Sequence, residues 1–374
     1  MAYSLSFRIK QAFKAILQNK VLPVVYGFWK FIYRDQAPSL IIFADSHHDA
    51  LPFSMEYVHN ELTQKGYPVT DIIYNYANMP LFRSLFYSIR FMRLYAQARF
   101  VFICDNFLPV SSCKKRPDTF VVQLLHFGGL FKRMGYDTAQ DIPSGYPKNV
   151  YRNYDLVTVS SPVCVKTIAH AMLQPEEIFV PLGSSRTDFY FQHEWQNHCK
   201  DQFYSLHPEA RGKKIILWAP TFRGNAATPT QVGLEHIRRL KEELGSEYFL
   251  IVKVHPHVDN ACHLSDCSIP TEQLFPVTDL LITDYSSVAM DYMLFEKPYV
   301  LFAPDYIQFQ HDRGFYVDYT SLCPYIVTDS TKLKDIVQEA LSATSHEWIR
   351  IQKAFHMQNC DGHSTERILE YIGL

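Results

Sequence analysis

Two doubly wound α/β domains facing across a cleft are the fold that this 374-residue sequence predicts, on three observations. From residue 39 onward, short runs rich in β-branched and aromatic residues alternate with runs of helical period. A polar, strand-poor stretch, QHEWQNHCKDQFYSLHPEARGKK (192–214), divides that alternation into halves of similar size. The composition, 47% hydrophobic and 20% charged with only 14 glycines, supports two packed cores and excludes a disordered or collagen-like chain.

The elements follow in order. Residues 1–34 carry Arg8, Lys10, Lys14, Lys20, Lys30 and Arg34 and no acid, with Leu5, Ile9, Phe13, Ile16 and Leu17 at helical spacing, which predicts an N-terminal basic amphipathic helix. SLIIFAD (39–45), a helix near 50–65, VTDIIYN (69–75), a helix after Pro80 and RFVFICD (99–105) make a first β-α-β-α-β unit. The helix after Pro80 repeats the N-terminal pattern: Phe82, Leu85, Phe86, Ile89 and Met92 form a stripe flanked by Arg83, Arg90, Arg93 and Arg99, and no acid occurs between Asp71 and Asp105. Two such segments point to an anionic membrane surface as a partner. TFVVQLL (119–125), YDLVTVS (154–160) and IFVPLG (178–183) complete the first half. KIILWAP (214–220), a helix near 230–244, YFLIVKV (248–254), DLLITD (279–284), a helix from Ser286, YVLFAP (299–304) and PYIVTD (324–329) make the second. The expected division is a membrane segment 1–34, an acceptor-side domain 35–195, a donor-binding domain 205–345, and C-terminal helices 346–374 packing across both.

A formal charge of −2 gives no reason to expect nucleic acid as a partner. The eight cysteines form no C-x-x-C pair and are expected as reduced thiols. No uncharged apolar run reaches about 18 residues and no signal peptide is evident, so a peripheral protein on the cytoplasmic face is expected.

Four stretches could carry chemistry. In DLLITDYSS (279–287) a buried strand ends at Asp284 and turns into a helix whose first positions are Ser286 and Ser287, an arrangement suited to an anion; Ser286 could equally be a plain N-cap. In WAPTFRG (218–224) a strand ends and presents Thr221 and Arg223, the latter able to fork onto a phosphate. In KVHPH (253–257), Lys253 and His255 stand at a strand end, with His255 held by Pro256. Cys262, His263 and Cys267 follow, but without the spacing of a structural zinc site. In QLLHFGGLFKRMGYD (123–137), His126 leaves a strand before a Gly128-Gly129 turn and the basic pair Lys132-Arg133, well placed to activate an acceptor hydroxyl. No D-x-D pair occurs, so no metal site is expected and cationic groups, Arg313 among them, would hold a diphosphate.

Eight ordered motifs then carry a resemblance: H-x-x-G-x-F-K-x-x-G-Y (126–136), S-R-T-D (185–188), A-P-T-F-R (219–223), K-x-H-P (253–256), D-L-L-I-T-D-Y-S-S-x-x-x-D-Y (279–292), K-P-x-x-x-F-x-P-D (297–305), R-G-F-Y-x-D-Y (313–319) and D-G-x-S-T-E-R (361–367). The set resembles the CDP-glycerol glycerophosphotransferase family, the teichoic-acid primases and polymerases and their capsule-polymer relatives. The resemblance implies a GT-B-like fold at the cytoplasmic membrane face and transfer of a polyol phosphate, glycerol phosphate foremost, from CDP-glycerol or CDP-ribitol to a hydroxyl of a lipid-linked or polymer acceptor, with CMP leaving and no cofactor. It implies His126 as base, His255 as a second catalytic group, and Thr221, Arg223, Lys253, Asp284, Ser286, Ser287 and Arg313 around the donor, with Gly128, Gly129 and Lys132 on the acceptor side. Leu125 and Phe127 depart from the family's usual Trp and small residue, which implies an altered acceptor pocket. The alternatives are a glycosyltransferase using a nucleotide sugar and an inactive nucleotide-binding scaffold.

Overall fold

The computed structural model describes residue 13 and residues 15–374, apart from 77–78, 143–148, 226–227, 256–257 and 260–262. Most of the first half of the basic segment 1–34, Pro256 and Cys262 therefore lie outside the described residues. Among the described residues, thirteen strands follow in chain order: β1 Leu40–Asp45, β2 Val69–Ile73, β3 Ala98–Ile103, β4 Phe120–Gln123, β5 Leu156–Thr158, β6 Phe179–Val180, β7 Lys214–Trp218, β8 Arg223–Asn225, β9 Thr228–Thr230, β10 Tyr248–Val252, β11 Leu280–Thr283, β12 Tyr299–Phe302 and β13 Ile326–Val327.

These strands make two wholly parallel sheets, ordered β2-β1-β3-β4-β5-β6 and β10-β7-β11-β12-β13, with β8 and β9 forming a separate antiparallel hairpin. Parallel strands need helical crossovers that cover both sheet faces, so β11 and β12 are buried along their whole length instead of alternating. The uninterrupted apolar runs LLIT and YVLF are that burial written in sequence. In the first sheet β1 is followed by β2 on one side and flanked by β3 on the other; in the second, β7 lies between β10 and β11. Each is a point where the winding reverses, and in open α/β sheets ligands bind beyond the carboxyl ends of the strands at such points.

The boundaries differ from those expected. One compact unit comprises residues through His126, Met134–Arg186 and His363–Leu374; the other comprises Phe127–Arg133 and Thr187–Gly362. The polar stretch after residue 192 is no linker: it forms the helix His193–Leu206, which belongs to the second unit and buries Cys199 and Phe203. The C-terminal helices divide, Glu347–His356 with the second unit and Ser364–Ile372 with the first. Ser364–Ile372 is held there by a 2.8 Å hydrogen bond between the hydroxyls of Ser185 and Thr365 and by Arg367 Nε donating to the Leu182 carbonyl at 3.1 Å.

Candidate functional site

In the second unit, strand ends bring Thr221, Arg223 and Asp284 together, with Asp305 and Tyr285 added. Arg223 Nε donates to Asp305 Oδ2 at 2.7 Å, and Nη2 donates to Asp305 Oδ1 at 3.0 Å and Asp284 Oδ2 at 2.9 Å. Nη1 donates to the Thr221 carbonyl at 2.6 Å, and the guanidinium lies over the rings of Tyr285 and Phe309 at 4.8 and 5.2 Å. A guanidinium has five N–H donors, and four are thereby spent. The open phosphate fork expected of Arg223 is corrected: the side chain is a cross-brace tying the loops after β7, β11 and β12. Burial alone would lower its pKa, but the two carboxylates outweigh burial and raise it. Asp305, which burial would raise, is lowered by the Arg223 guanidinium and by the Tyr285 hydroxyl.

Around this brace, Thr221 N–H donates to Asp284 Oδ1 at 2.7 Å, while Thr221 Oγ1 is buried without a hydrogen-bond partner among the described residues. Such an orphan hydroxyl is costly unless a ligand completes it. The His255 ring lies against Phe222, between Thr221 and Arg223 in sequence, at 4.6 Å. Ser286 and Ser287 are half-buried at the start of a short helix, Val288–Tyr292; Ser287 occupies the cap position without a side-chain cap bond, and Val288 N–H reaches Ser286 Oγ at 3.4 Å. Lys253 Nζ donates to the Cys267 carbonyl at 2.8 Å, which uses one of the three ammonium donors.

The glycine turn also lies elsewhere than expected. Residues 127–133, with Gly128, Gly129 and Lys132, pack in the second unit, not the first. The reason is local. Lys132 pairs antiparallel with Phe315, Tyr316 N–H donates to the Phe131 carbonyl at 2.8 Å, and Arg313 Nε donates to the Arg133 carbonyl at 2.8 Å. Leu130 N–H donates to Nδ1 of the buried His356 at 3.1 Å. Gly129, at φ +68°, leaves room where a Cβ would stand 2.9 Å from Met290 Sδ. Arg313 thus secures this turn.

In the first unit, His126 stands just past β4, about half exposed. Its Nδ1 is 3.3 Å from the Cys104 carbonyl oxygen and 3.6 Å from Asp105 Oδ2. Asp45, buried at the end of β1, accepts from the backbone N–H groups of His47 and His48 at 2.7 and 2.8 Å and from His48 Nδ1 at 2.9 Å. His47 Nδ1 lies 3.8 Å from Asp105 Oδ2. Burial would raise both carboxyls, yet the neighbouring imidazoles hold Asp45 well below, and Asp105 below, the usual carboxylate range.

Asp45, Asp105 and His47 escaped the sequence reading, and Asp305 and Tyr285 entered it only as members of ordered motifs. The signal was present: SLIIFAD and RFVFICD are apolar strands ending in a carboxylate, and a carboxylate at a parallel strand's carboxyl end lies where ligands bind. Among the described residues no group of three or more His, Cys, Asp or Glu could hold a metal ion.

Two parallel-sheet units bearing polar clusters beyond their strand ends define a GT-B-like α/β protein. Its fold is shared with the wall teichoic acid polymerase TagF (TM-score 0.69, 21% identity, covering 100% of this chain and 98% of that one), a variant of which has been soaked with CDPG. The family model for CDP-glycerol:poly(glycerophosphate) glycerophosphotransferase matches residues 28–374, and the chain belongs to that family. Among relatives from Bacillus spizizenii, a teichoic acid poly(ribitol-phosphate) polymerase is 30% identical, over 89% of this chain and 56% of its own length. A teichoic acid ribitol-phosphate primase is 28% identical, over 89% and 90%. The family expected from the ordered motifs is the one found.

Proposed function

We propose that this chain transfers a polyol phosphate from CDP-glycerol or CDP-ribitol to a hydroxyl of a lipid-linked or polymeric acceptor in teichoic-acid-type synthesis. The acceptor oxygen bonds to the β-phosphorus, the bond from that phosphorus to the bridging oxygen breaks, CMP leaves, and the hydroxyl proton passes to His126. The observation that carries this reading is His126 itself: an imidazole beyond a strand's carboxyl end, held by a carbonyl and a carboxylate on one nitrogen, in a chain of this family. Thr221 Oγ1, His255 and the Ser286-Ser287 turn are assigned to the donor, with Arg223 bracing them. Electrostatic clamping of this kind supplies most of the catalysis in phosphoryl transfer. The test is a panel of CDP-glycerol, CDP-ribitol, UDP-sugars and GDP-sugars with purified acceptor. CMP release from a CDP-polyol supports the reading; UDP or GDP release instead identifies a glycosyltransferase.

The site of action is proposed to be the cytoplasmic membrane face. The helices Leu22–Ile32 and Leu81–Tyr95 pack together, with Arg93 over the Trp29 ring at 5.1 Å and its Nε 3.2 Å from Tyr33 Oη. Phe28, Phe31, Phe82 and Phe86 are 57–70% exposed beside Lys30, Arg83 and Arg90. A folded chain rarely leaves four phenylalanines in water unless something apolar covers them. No helix among the described residues is long and apolar enough to cross a membrane.

A further inference from the structure

We propose that Asp105 is the positioning residue for His126, and that His47 competes for the same carboxylate oxygen. This rests on the reading of His126 as the base. The Cys104 carbonyl can only accept, so His126 Nδ1, 3.3 Å away, carries the proton of the neutral ring and Nε2 keeps the lone pair. Asp105 Oδ2, 3.6 Å from the same Nδ1, becomes an ion-pair partner once Nε2 has taken a proton from the acceptor, so it stabilises the imidazolium formed in the step. His47 Nδ1 lies 3.8 Å from that oxygen and 3.7 Å from Asp45 Oδ1. A protonated His47 therefore draws on charge that His126 would otherwise use.

Asp45 is occupied by His47 and His48. Arg186, a permanent cation, is buried near Cys104. Tyr151 and Tyr154 are kept neutral by burial. Neither the Cys104 thiol nor the two phenols titrate near neutrality, since burial raises all three. Asp105 remains the carboxylate poised between two exposed imidazoles.

The test combines Asp105→Asn, His47→Asn and His126→Ala in the full chain, with kcat, donor KM and the pH profile of CMP release as readouts. ¹⁵N shifts of histidine-labelled wild-type protein supply the tautomer. Asp105→Asn is expected to lower kcat by about 10²-fold, the lower end of the general-base range because the Cys104 carbonyl still holds the ring, with donor KM unchanged. It is also expected to move the acidic limb of the profile to lower pH. His47→Asn is expected to move that limb the opposite way. Wild-type His126 is expected with its proton on Nδ1. A wild-type Nε2–H tautomer overturns the proposal, as does an unmoved limb and normal rate in Asp105→Asn while His126→Ala is inactive. Normal turnover in His126→Ala overturns the base assignment itself. Should Asp105→Asn fail to fold, the wild-type tautomer and the His47→Asn profile decide.

Discussion

At the scale of single residues, the two histidines named from the sequence have separable expected signatures. His126→Ala should lower turnover by about 10²–10⁴ and leave binding of a non-reactive donor analogue intact. His255→Ala should weaken analogue binding together with turnover, since a hydrogen bond to a charged group is worth about 1.5–3 kcal/mol. Calorimetry with the analogue separates the two; equal loss of affinity in both variants would refute the division. Arg223 calls for a different expectation. Arg223→Met leaves Asp284 and Asp305 facing each other without a cation, so the second unit should lose about 3–5 kcal/mol, the cost of breaking a buried ion pair from one side. Urea denaturation reads this directly, and an unchanged midpoint would contradict the brace. The difference between these residues also shows what was legible. His126 was singled out in the sequence by the glycine turn and basic pair that follow it. Arg223 did not reveal its partner, because Asp305 lies 82 residues on and meets it only through the order of β7, β11 and β12.

At the scale of elements, the turn 127–133 is docked by a titratable group. His356 accepts from Leu130 N–H and is therefore neutral, and burial pushes its pKa down to about 4. An unfolded chain takes up that proton near pH 6.5, so the unfolded state binds more protons between these values. The stabilisation is fully present above about pH 6.5 and declines as pH falls toward about 4. His356→Gln keeps an acceptor without titrating. Its Tm should consequently fall less steeply between pH 6.5 and 4.5 than the wild type's, and parallel curves would remove His356 from the account. Periodicity placed the strands of both parallel sheets, whose burial leaves apolar runs, but it missed the β8–β9 hairpin and the helix His193–Leu206. Periodicity could not assign this turn, whose allegiance is set by backbone pairing with Phe315 and by the space at Gly129.

At the scale of the whole molecule, the apolar-basic face has a measurable consequence. Co-sedimentation with anionic vesicles should exceed that with neutral ones and fall as salt rises, because exposed charges are screened within about 8 Å at physiological ionic strength. Phe82→Ser with Phe86→Ser should weaken binding to both. Lipid-independent solubility of the wild type would sink the idea. The two-sheet architecture was readable because each sheet is wound locally. The division into units was not, since it depends on the contacts made by two excursions of the chain out of the first unit, Phe127–Arg133 and Thr187–Gly362.

Those excursions bear on the order of manufacture. The helix Ser364–Ile372, which closes the first unit through Ser185 and Leu182, is translated only after the whole of Thr187–Gly362. Emerging protein normally condenses segment by segment from the front. Here the unit begun first is finished second, and during synthesis its face toward that helix stays open. A ribosome-stalled chain ending at Gly362 should show a protease-sensitive first unit beside a resistant second one, and a full-length chain should show neither.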